Sequence, residues 1–433
     1  MILRFSIENL FSFRERQTLD LTPCSDCSLR TDDNVFTVAG EQMLTSVAVY
    51  GANASGKSNL FAALSSFINL VVYSFDEMYH DKIPPFTPFF HDEACMGRPS
   101  LAELEFILKG KCYKYGYALV QSHVVKEWLL KKVSGDYQIL FIRHDNEGRD
   151  VIDVRHENFL GVNELIVANT RKDALFLSTC AKMAVSEAKD ILDEFHYNVN
   201  VVSAERRHAA YTAHQMYTNK DFYHAIAHFI EQTDPSIEKI VLKEELESTG
   251  RISQSGHSVM MPKYEIRVVP KDAPKGLSEN GGIPFDAIVS SGTKKAFDLA
   301  GPIFDSLRYG KTLVVDEFGV VMHPILSREV LRLFNSQETN PMHAQLIFNT
   351  HDTNLLNATV YNPTLRHKES LLRPDQVYFV ERGRDHASRL YSRAEYDPTP
   401  ESEGLSAEDE YLEGRYGSIP YIGSLLGEKR KWA

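Results

Sequence analysis

The segment Gly51-Ala52-Asn53-Ala54-Ser55-Gly56-Lys57-Ser58 constrains this chain more than any other, because it fits the pattern G-x-x-x-x-G-K-[ST] without a mismatch. A short β-rich run, 46–50, precedes it, and apolar residues at helical spacing follow it from about Lys57 to Asn69. A strand, a tight loop and a helix are the context that this pattern requires. Glycines let the backbone turn so that successive N–H groups point at phosphate oxygens. The segment therefore predicts a phosphate-binding loop.

Two side chains of this loop carry specific expectations. Lys57 places a positive charge beside the β- and γ-phosphates of a nucleotide, and Ser58 offers a hydroxyl to Mg²⁺. ATP and Mg²⁺ are the predicted cofactors. The predicted nucleotide-binding residues of the loop are Gly51, Asn53, Ser55, Gly56, Lys57, Ser58 and Asn59.

An acidic pair ends an apolar strand further along the chain. Residues 312–315 read Thr-Leu-Val-Val and are followed by Asp316 and Glu317. Beside a phosphate-binding loop, we expect Asp316 to help hold Mg²⁺, directly or through water, and Glu317 to orient or deprotonate an attacking water. If the pair stood alone, a solvated strand end would explain it equally well.

Two weaker signals accompany these motifs. The run Ser290-Ser291-Gly292-Thr293-Lys294-Lys295 lies at a predicted loop-to-helix junction, where small residues make an anion site. Taken alone, an ordinary helix N-cap explains this run better. His351 follows the predicted strand 345–349, at the carboxyl end where α/β sheets bind ligands.

The composition excludes several classes of protein. The chain has 433 residues, and 43% of them are hydrophobic, which is typical of globular proteins. Its net charge of −12 disfavours a protein coated in nucleic acid. No stretch reaches the roughly 18 apolar residues of a membrane span, and the opening residues lack the pattern of a signal peptide. Five cysteines are too few and odd in number for a disulfide framework. These features predict a cytoplasmic protein.

The order of the motifs resembles that of ABC-type ATPases: phosphate-binding loop (P-loop), signature loop, Walker B acids and a switch histidine. The signature differs from the Leu-Ser-Gly-Gly-Gln of transporters. Four passages are similar to the AAA-type ATPases of bacterial abortive-infection and phage-defence systems, which are related to the overcoming-lysogenization proteins. These passages are 7–13 (IENLFSF), 49–59 (VYGANASGKSN), 316–324 (DEFGVVMHP) and 411–420 (YLEGRYGSIP).

This resemblance implies composite ATP sites between two subunits packed head to tail. Ser291 and Gly292 would reach the γ-phosphate across the interface, and His351 would contact the same phosphate within its own subunit. Glu317, His351 and Lys57 are the implied catalytic residues, with Ser58 and Asp316 as metal ligands. His323-Pro324 would occupy the interface loop after the acids. The glutamine of the usual Q-loop is not assigned, since Gln121 lies in a predicted strand.

The predicted fold class is α/β, an ABC-type P-loop NTPase head with an antiparallel β-subdomain and a helical insertion. Period-two alternation over 103–155 indicates an antiparallel meander. A proline-rich connector, 76–100, precedes the meander, and 164–232 is mostly helical in pattern. The predicted domains are an N-terminal ATPase lobe (1–75), the β-subdomain (76–160), a mostly helical insertion that returns to strands (161–285) and a C-terminal ATPase lobe (286–433).

The resemblance implies an ATP-hydrolysing sensor and scaffold of an anti-phage system, with a PARIS-type pair as the first example. Its partners would be a second copy or larger homo-oligomer, a separate effector, expected to be a nuclease, and a phage trigger protein. Only 82 residues follow His351, too few for an appended nuclease domain. The alternative is an ATP-dependent clamp for DNA ends or repair, which the negative charge and the missing coiled-coil arm disfavour.

Two minor patterns have plain interpretations. Cys24-x-x-Cys27 has metal-ligand spacing but lacks a second pair, so structural thiols are favoured over zinc. Arg206, Arg207 and His208 with nearby His214 are expected to form a solvated face rather than a nucleic-acid surface.

Overall fold

The computed structural model describes residues 1–76, 86–146, 148–202, 207–252, 258–279, 281–362, 366–396 and 405–420. Part of the predicted connector (77–85), Arg206 and the stretches 397–404 and 421–433 lie outside the described residues. The helices are α1 Thr31–Asn34, α2 Lys57–Tyr73, α3 Glu93–Met96, α4 Glu164–Ala168, α5 Phe176–Lys182, α6 Ser186–Tyr197, α7 Ala209–Thr218, α8 Lys220–Thr233, α9 Lys275–Glu279, α10 Phe285–Ile288, α11 Ser291–Tyr309, α12 Pro324–Phe334 and α13 Ala407–Leu412. The strands are β1 Ile2–Glu8, β2 Gln17–Asp20, β3 Val35–Val38, β4 Glu41–Leu44, β5 Ser46–Tyr50, β6 Ser100–Leu108, β7 Lys111–Val120, β8 His123–Val133, β9 Asp136–Asn146, β10 Arg149–Val154, β11 Val199–Val202, β12 Ile237–Ile252, β13 Ser258–Pro270, β14 Ile283–Pro284, β15 Thr312–Val315, β16 Gln345–Asn349, β17 Thr359–Asn362, β18 His367–Ser370, β19 Val377–Arg382 and β20 Ser388–Ser392.

A six-stranded sheet forms the centre of the molecule, in the order β11-β15-β16-β5-β19-β20. The first five strands are parallel, and β20 closes the edge as an antiparallel hairpin with β19. Every residue of β5, β15 and β16 is buried. Continuous β-branched and apolar runs are typical of strands covered on both faces, which explains their sequences. The carboxyl ends of β5, β15 and β16 consequently lie side by side.

A seven-stranded antiparallel sheet packs beside the central one, in the order β10-β9-β8-β7-β6-β1-β2. The predicted meander is confirmed as β6–β10, but β1 pairs with β6, so the sheet also includes the first residues of the chain. Helix α2 joins the two sheets. Its Phe67 is fully buried and lies 5.9 Å from the ring of Phe5 and 5.2 Å from that of Tyr117.

The middle of the chain is helical, as predicted, with one exception. Val199–Val202 forms strand β11, which pairs in parallel with β15 at the edge of the central sheet. The helical prediction missed this strand because four residues between two helical stretches carry too little periodicity. Beyond α8, β12 and β13 form a long antiparallel hairpin.

The predicted fold class is confirmed: a central parallel sheet with the phosphate-binding loop, an antiparallel sheet and helices inserted between the two motif-bearing segments. Helix α2 runs to Tyr73 rather than ending near Asn69. Gln121 was wrongly expected in a strand. It lies in the two-residue turn between β7 and β8 with φ 56°. Within the described part of the chain, no helix has the length and apolar character needed to cross a membrane.

Candidate functional site: a phosphate-binding loop beside two acids

The loop between β5 and α2 has a backbone that only glycine fits at two points. Gly51 and Gly56 have φ values of 154° and 115°. A Cβ on Gly51 would lie 2.4 Å from the carbonyl oxygen of Val380, and one on Gly56 would lie 2.3 Å from Ser388 Oγ. Strands β19 and β20 thus contact the loop closely at both glycines. A larger residue at either position would clash with these strands and displace the loop.

The side chain of Lys57 folds back over the loop. Its Nζ donates hydrogen bonds to the carbonyl oxygens of Gly51 at 2.7 Å and Ala52 at 2.9 Å. Desolvation lowers the pKa of Lys57 from 10.5 to about 8, against the opposing charges of Asp316 and Glu317. A buried ammonium that is bonded only to two carbonyls would interact more strongly with a negatively charged group.

The loop also holds an unsatisfied polar atom. Ser55 Oγ is buried and has no hydrogen-bond partner among the described residues. Buried hydroxyls are rarely left unpaired, and each such group needs a reason. A phosphate oxygen in the loop supplies an acceptor for this hydroxyl, so the residues present fit the predicted triphosphate.

The hydroxyls of Ser12 and Ser388 and the amide of Asn59 form a hydrogen-bond network beside the loop. Ser388 Oγ lies 2.5 Å from Ser55 O and 2.8 Å from Ser12 Oγ, and Asn59 Nδ2 donates to Ser12 Oγ at 2.9 Å. Asn59 therefore contacts the supporting residues, and its predicted contact with a nucleotide remains a prediction. Ser12 lies within the passage 7–13, whereas no motif surrounds Ser388 in the sequence.

The acids lie directly opposite the loop. Asp316 Oδ1 is 3.2 Å from Ser58 Oγ, so the two predicted metal ligands are adjacent. Oxygen donors of this kind suit Mg²⁺, which binds through one or two protein ligands and several waters. The predicted ligand pair thus fits a magnesium ion.

Asn349 is a functional residue that sequence reasoning missed. It is fully buried at the end of β16, donates its amide to Asp316 Oδ1 and accepts a 2.6 Å bond from Glu317 N. Glu317 itself has a left-handed backbone, with φ 58°. Asn349 therefore holds the side chain of Asp316 and the backbone of Glu317. A polar residue that ends the apolar run 346–348 was the available signal.

His351 lies just beyond Asn349 at the same sheet edge and is exposed. Partial desolvation and the charge of Lys57 lower the pKa of His351, which favours the neutral imidazole. A neutral ring near Lys57 can donate a hydrogen bond to an anion without adding a second positive charge.

The signature run begins helix α11, and the charges of Asp316 and Glu317 act on the half-buried Lys295 within it. Ser290 Oγ accepts a 3.1 Å bond from Thr293 N, so the N-cap interpretation is confirmed for α11. Ser291 is exposed and Gly292 packs against Val321, where a Cβ would lie 3.0 Å from the carbonyl oxygen. These residues and His323 line an open cavity of about 1190 Å³ between α8 and α12.

The minor patterns take structural roles. No group of three or more His, Cys, Asp or Glu side chains within the described ranges is arranged to hold a metal. Cys27 instead packs beside Arg373, which donates to its carbonyl oxygen at 2.9 Å. Arg207 pairs with Asp298 and Asp286, so this arginine is engaged in ion pairs within the chain.

Comparison with known families covers part of the site. Residues 194–357 match the profile of a family described as "AAA domain, putative AbiEii toxin, Type IV TA system". This range includes the signature run, the acids and His351, and it begins after the phosphate-binding loop. A comparison with curated protein sequences finds no match.

Several solved structures are similar to this chain at low sequence identity. The SMC head domain from Thermotoga maritima is 13% identical, with a TM-score of 0.40 and coverage of 90% of this chain and 98% of that one. An SMC head bound to the C-winged helix domain of ScpA is 12% identical, with a TM-score of 0.40 and coverage of 93% and 99%. RecF with ATP, from the RecFOR pathway, is 13% identical, with a TM-score of 0.34 and coverage of 90% and 97%.

Proposed function

We propose that this chain binds and hydrolyses ATP with Mg²⁺ and uses the nucleotide to switch the assembly of two copies. The observation that carries the proposal is the placement of Ser58 and Asp316 3.2 Å apart, beside Lys57 and under the amide of Asn349. Magnesium bound by Ser58 and Asp316 would neutralise charge on the phosphates. Lys57 and the loop N–H groups would hold the phosphates, and Glu317 would take the proton of the attacking water.

The second half of each site would come from another copy of the chain. Ser291 and Gly292 lie with the cavity lining rather than with the acids, as expected of groups that act across an interface. The surface around them is unusually apolar for an exposed region: Val321 is 58% exposed, Ile325 56% and Ile288 46%. Contact with a second copy would cover these side chains and bring Ser291 to the other copy's phosphates.

The biological role that we propose is control of a separate effector in phage defence, inside the cell. It rests on the profile match to a family described with AbiEii and a type IV toxin–antitoxin system. ATP would hold two or more copies together with the effector, expected to be a nuclease, and a phage protein would trigger its release. The DNA-clamp alternative is weaker, because the net charge is −12 and Arg207 is engaged in ion pairs.

Two variants test the switch. Lys57→Ala removes the phosphate-binding charge and is expected to abolish ATP binding in calorimetry. Glu317→Gln keeps the loop and Mg²⁺ ligands but removes the proton acceptor, so ATP should persist and the dimer should accumulate in native mass measurements. A Glu317→Gln protein whose mass does not change with ATP would contradict the assembly model.

The role in defence is tested by purification from native cells in ATP and Mg²⁺. A stoichiometric protein encoded next to this chain would identify the effector, and Lys57→Ala should fail to retain it. Recovery of DNA without a protein partner would contradict this role and favour the DNA-clamp alternative.

A further inference from the structure

Three exposed rings form a ladder next to the phosphate-binding loop. The rings of Phe90 and His91 have centroids 4.2 Å apart, and those of His91 and His386 are 4.5 Å apart with 25° between their planes. Phe90 is 60% exposed. His91 stacks against both other rings, so the faces that remain for another flat group are those at the ends of the ladder, on Phe90 and His386.

The ladder is joined to the loop by one guanidinium. Arg382, at the end of β19, contacts His91 Nε2 at 3.0 Å and the carbonyl oxygen of His386 at 3.1 Å. Its third contact, at 3.4 Å, is the carbonyl oxygen of Ala54 within the phosphate-binding loop. Arg382 can only donate, so Nε2 of His91 accepts its hydrogen bond, and desolvation, His386 and Arg382 lower the pKa of the ring.

Buried residues beneath the ladder fix the two segments that carry it. Phe89 is fully buried and packs with Cys95 and Ala387 in a small apolar cluster. Phe89 N also donates to Asn9 Oδ1 at 3.2 Å. Because Phe89 precedes Phe90 and Ala387 follows His386, this cluster positions the rings before any ligand arrives.

We propose that Phe90, His91 and His386 form the stacking platform for the purine base of the nucleotide held by the Gly51–Ser58 loop. This inference rests on the proposed ATP binding. The phosphates occupy the loop, so the ribose and base leave it over its exposed outer residues Asn53 and Ala54, on the side that Arg382 connects to the rings. Stacking of a base on aromatic side chains strengthens binding by about 10-fold or more, through the π face that every base has.

Stacking predicts a definite order of ligands. The platform offers ring faces and one guanidinium, so it should favour purine over pyrimidine nucleotides and separate ATP from GTP only weakly. Inorganic tripolyphosphate has no base and reports on the loop alone. The comparison of ATP, GTP, CTP and tripolyphosphate therefore separates the platform from the phosphate site.

The test is calorimetry of these four ligands with Mg²⁺ on the wild type and the double variant His91→Ala/His386→Ala. We expect the variant to lose about 10-fold or more in affinity for ATP and GTP and to bind tripolyphosphate unchanged. A variant with His91→Phe in place of His91→Ala should regain most of the lost affinity, because phenylalanine supplies an aromatic ring without the imidazole nitrogens. Tyr361→Ala, which removes an equally exposed ring from β17, is the matched control and should change nothing.

The outcomes distinguish the two proposals. The platform would be overturned if the wild type bound ATP no more tightly than tripolyphosphate, or if the double variant lost affinity for both ligands equally. In both cases the wild type would still bind ATP, so the proposed function would stand. A wild type that binds neither ATP nor tripolyphosphate would overturn the proposed function and the platform with it.

Discussion

Replacing Lys57 by methionine should make the nucleotide-free protein more stable while destroying its phosphate site. The pKa of Lys57 falls from 10.5 to about 8 in the folded chain, chiefly by desolvation. One pKa unit is worth about 1.4 kcal/mol, so burying the charged form costs about 3 kcal/mol. Methionine avoids this cost but loses the two bonds to the carbonyls of Gly51 and Ala52, each with a net contribution of about 1 kcal/mol. The expected net gain at pH 7 is about 1–2 kcal/mol.

The pH dependence of folding stability follows from the direction of this pKa shift. Between about pH 8 and pH 10.5 the unfolded chain binds a proton at Lys57 that the folded chain has released, so the wild type gains stability as pH rises. Below pH 8 both states are protonated and the full cost is present. The advantage of Lys57→Met should therefore be largest at pH 7 and shrink towards pH 10.

Urea unfolding at pH 7 and pH 9.5, without nucleotide or phosphate, measures this difference. Subtracting the wild type at each pH cancels the titration of all other groups. Lys220→Met, an exposed lysine at the start of α8, is the control and should shift neither midpoint. A Lys57→Met protein that is less stable than the wild type at pH 7, with an unchanged pH slope, would refute the claim that the ammonium is desolvated.

Two further changes test other parts of the site, and a third tests the antiparallel sheet. Asn349→Ala should weaken Mg²⁺-dependent ATP binding by about 10–100-fold in calorimetry, because Asp316 loses the amide that orients it, and an unchanged affinity would remove Asn349 from the site. Gly56→Ala should lower unfolding stability by about 2–3 kcal/mol in urea, since a Cβ meets Ser388 Oγ at 2.3 Å and φ is 115°, and a neutral result would mean that the loop relaxes freely. Glu127→Ala should lower the free energy of unfolding by about 3–5 kcal/mol, because this fully buried carboxylate accepts bonds from two backbone N–H groups at the start of α5, and a loss below 1 kcal/mol would contradict that role.

Sequence alone was sufficient where chemistry is local in the chain. The loop 51–58 and the acids after β15 are each read from a few adjacent residues, and both are found where parallel strands end. Asn349 was missed because its importance lies in contacts 32 and 33 residues away along the chain. Ser388 was missed for the same reason, since it supports a loop 333 residues away. Contacts of this range follow from the folded arrangement, and a single sequence carries no pattern for them.

Strand β11 makes the middle of the chain a structural part of the central sheet, which carries the loop and the acids. Val202 accepts the backbone N–H of Asp316 at 3.0 Å, so the acidic end of β15 is bonded on one side to a segment that leads to α7. A shortened protein that omits 161–285 would lose this edge strand and free the backbone of an acid in the site. Trimming should therefore begin after Val202, so that β11 and its bond to Asp316 are kept.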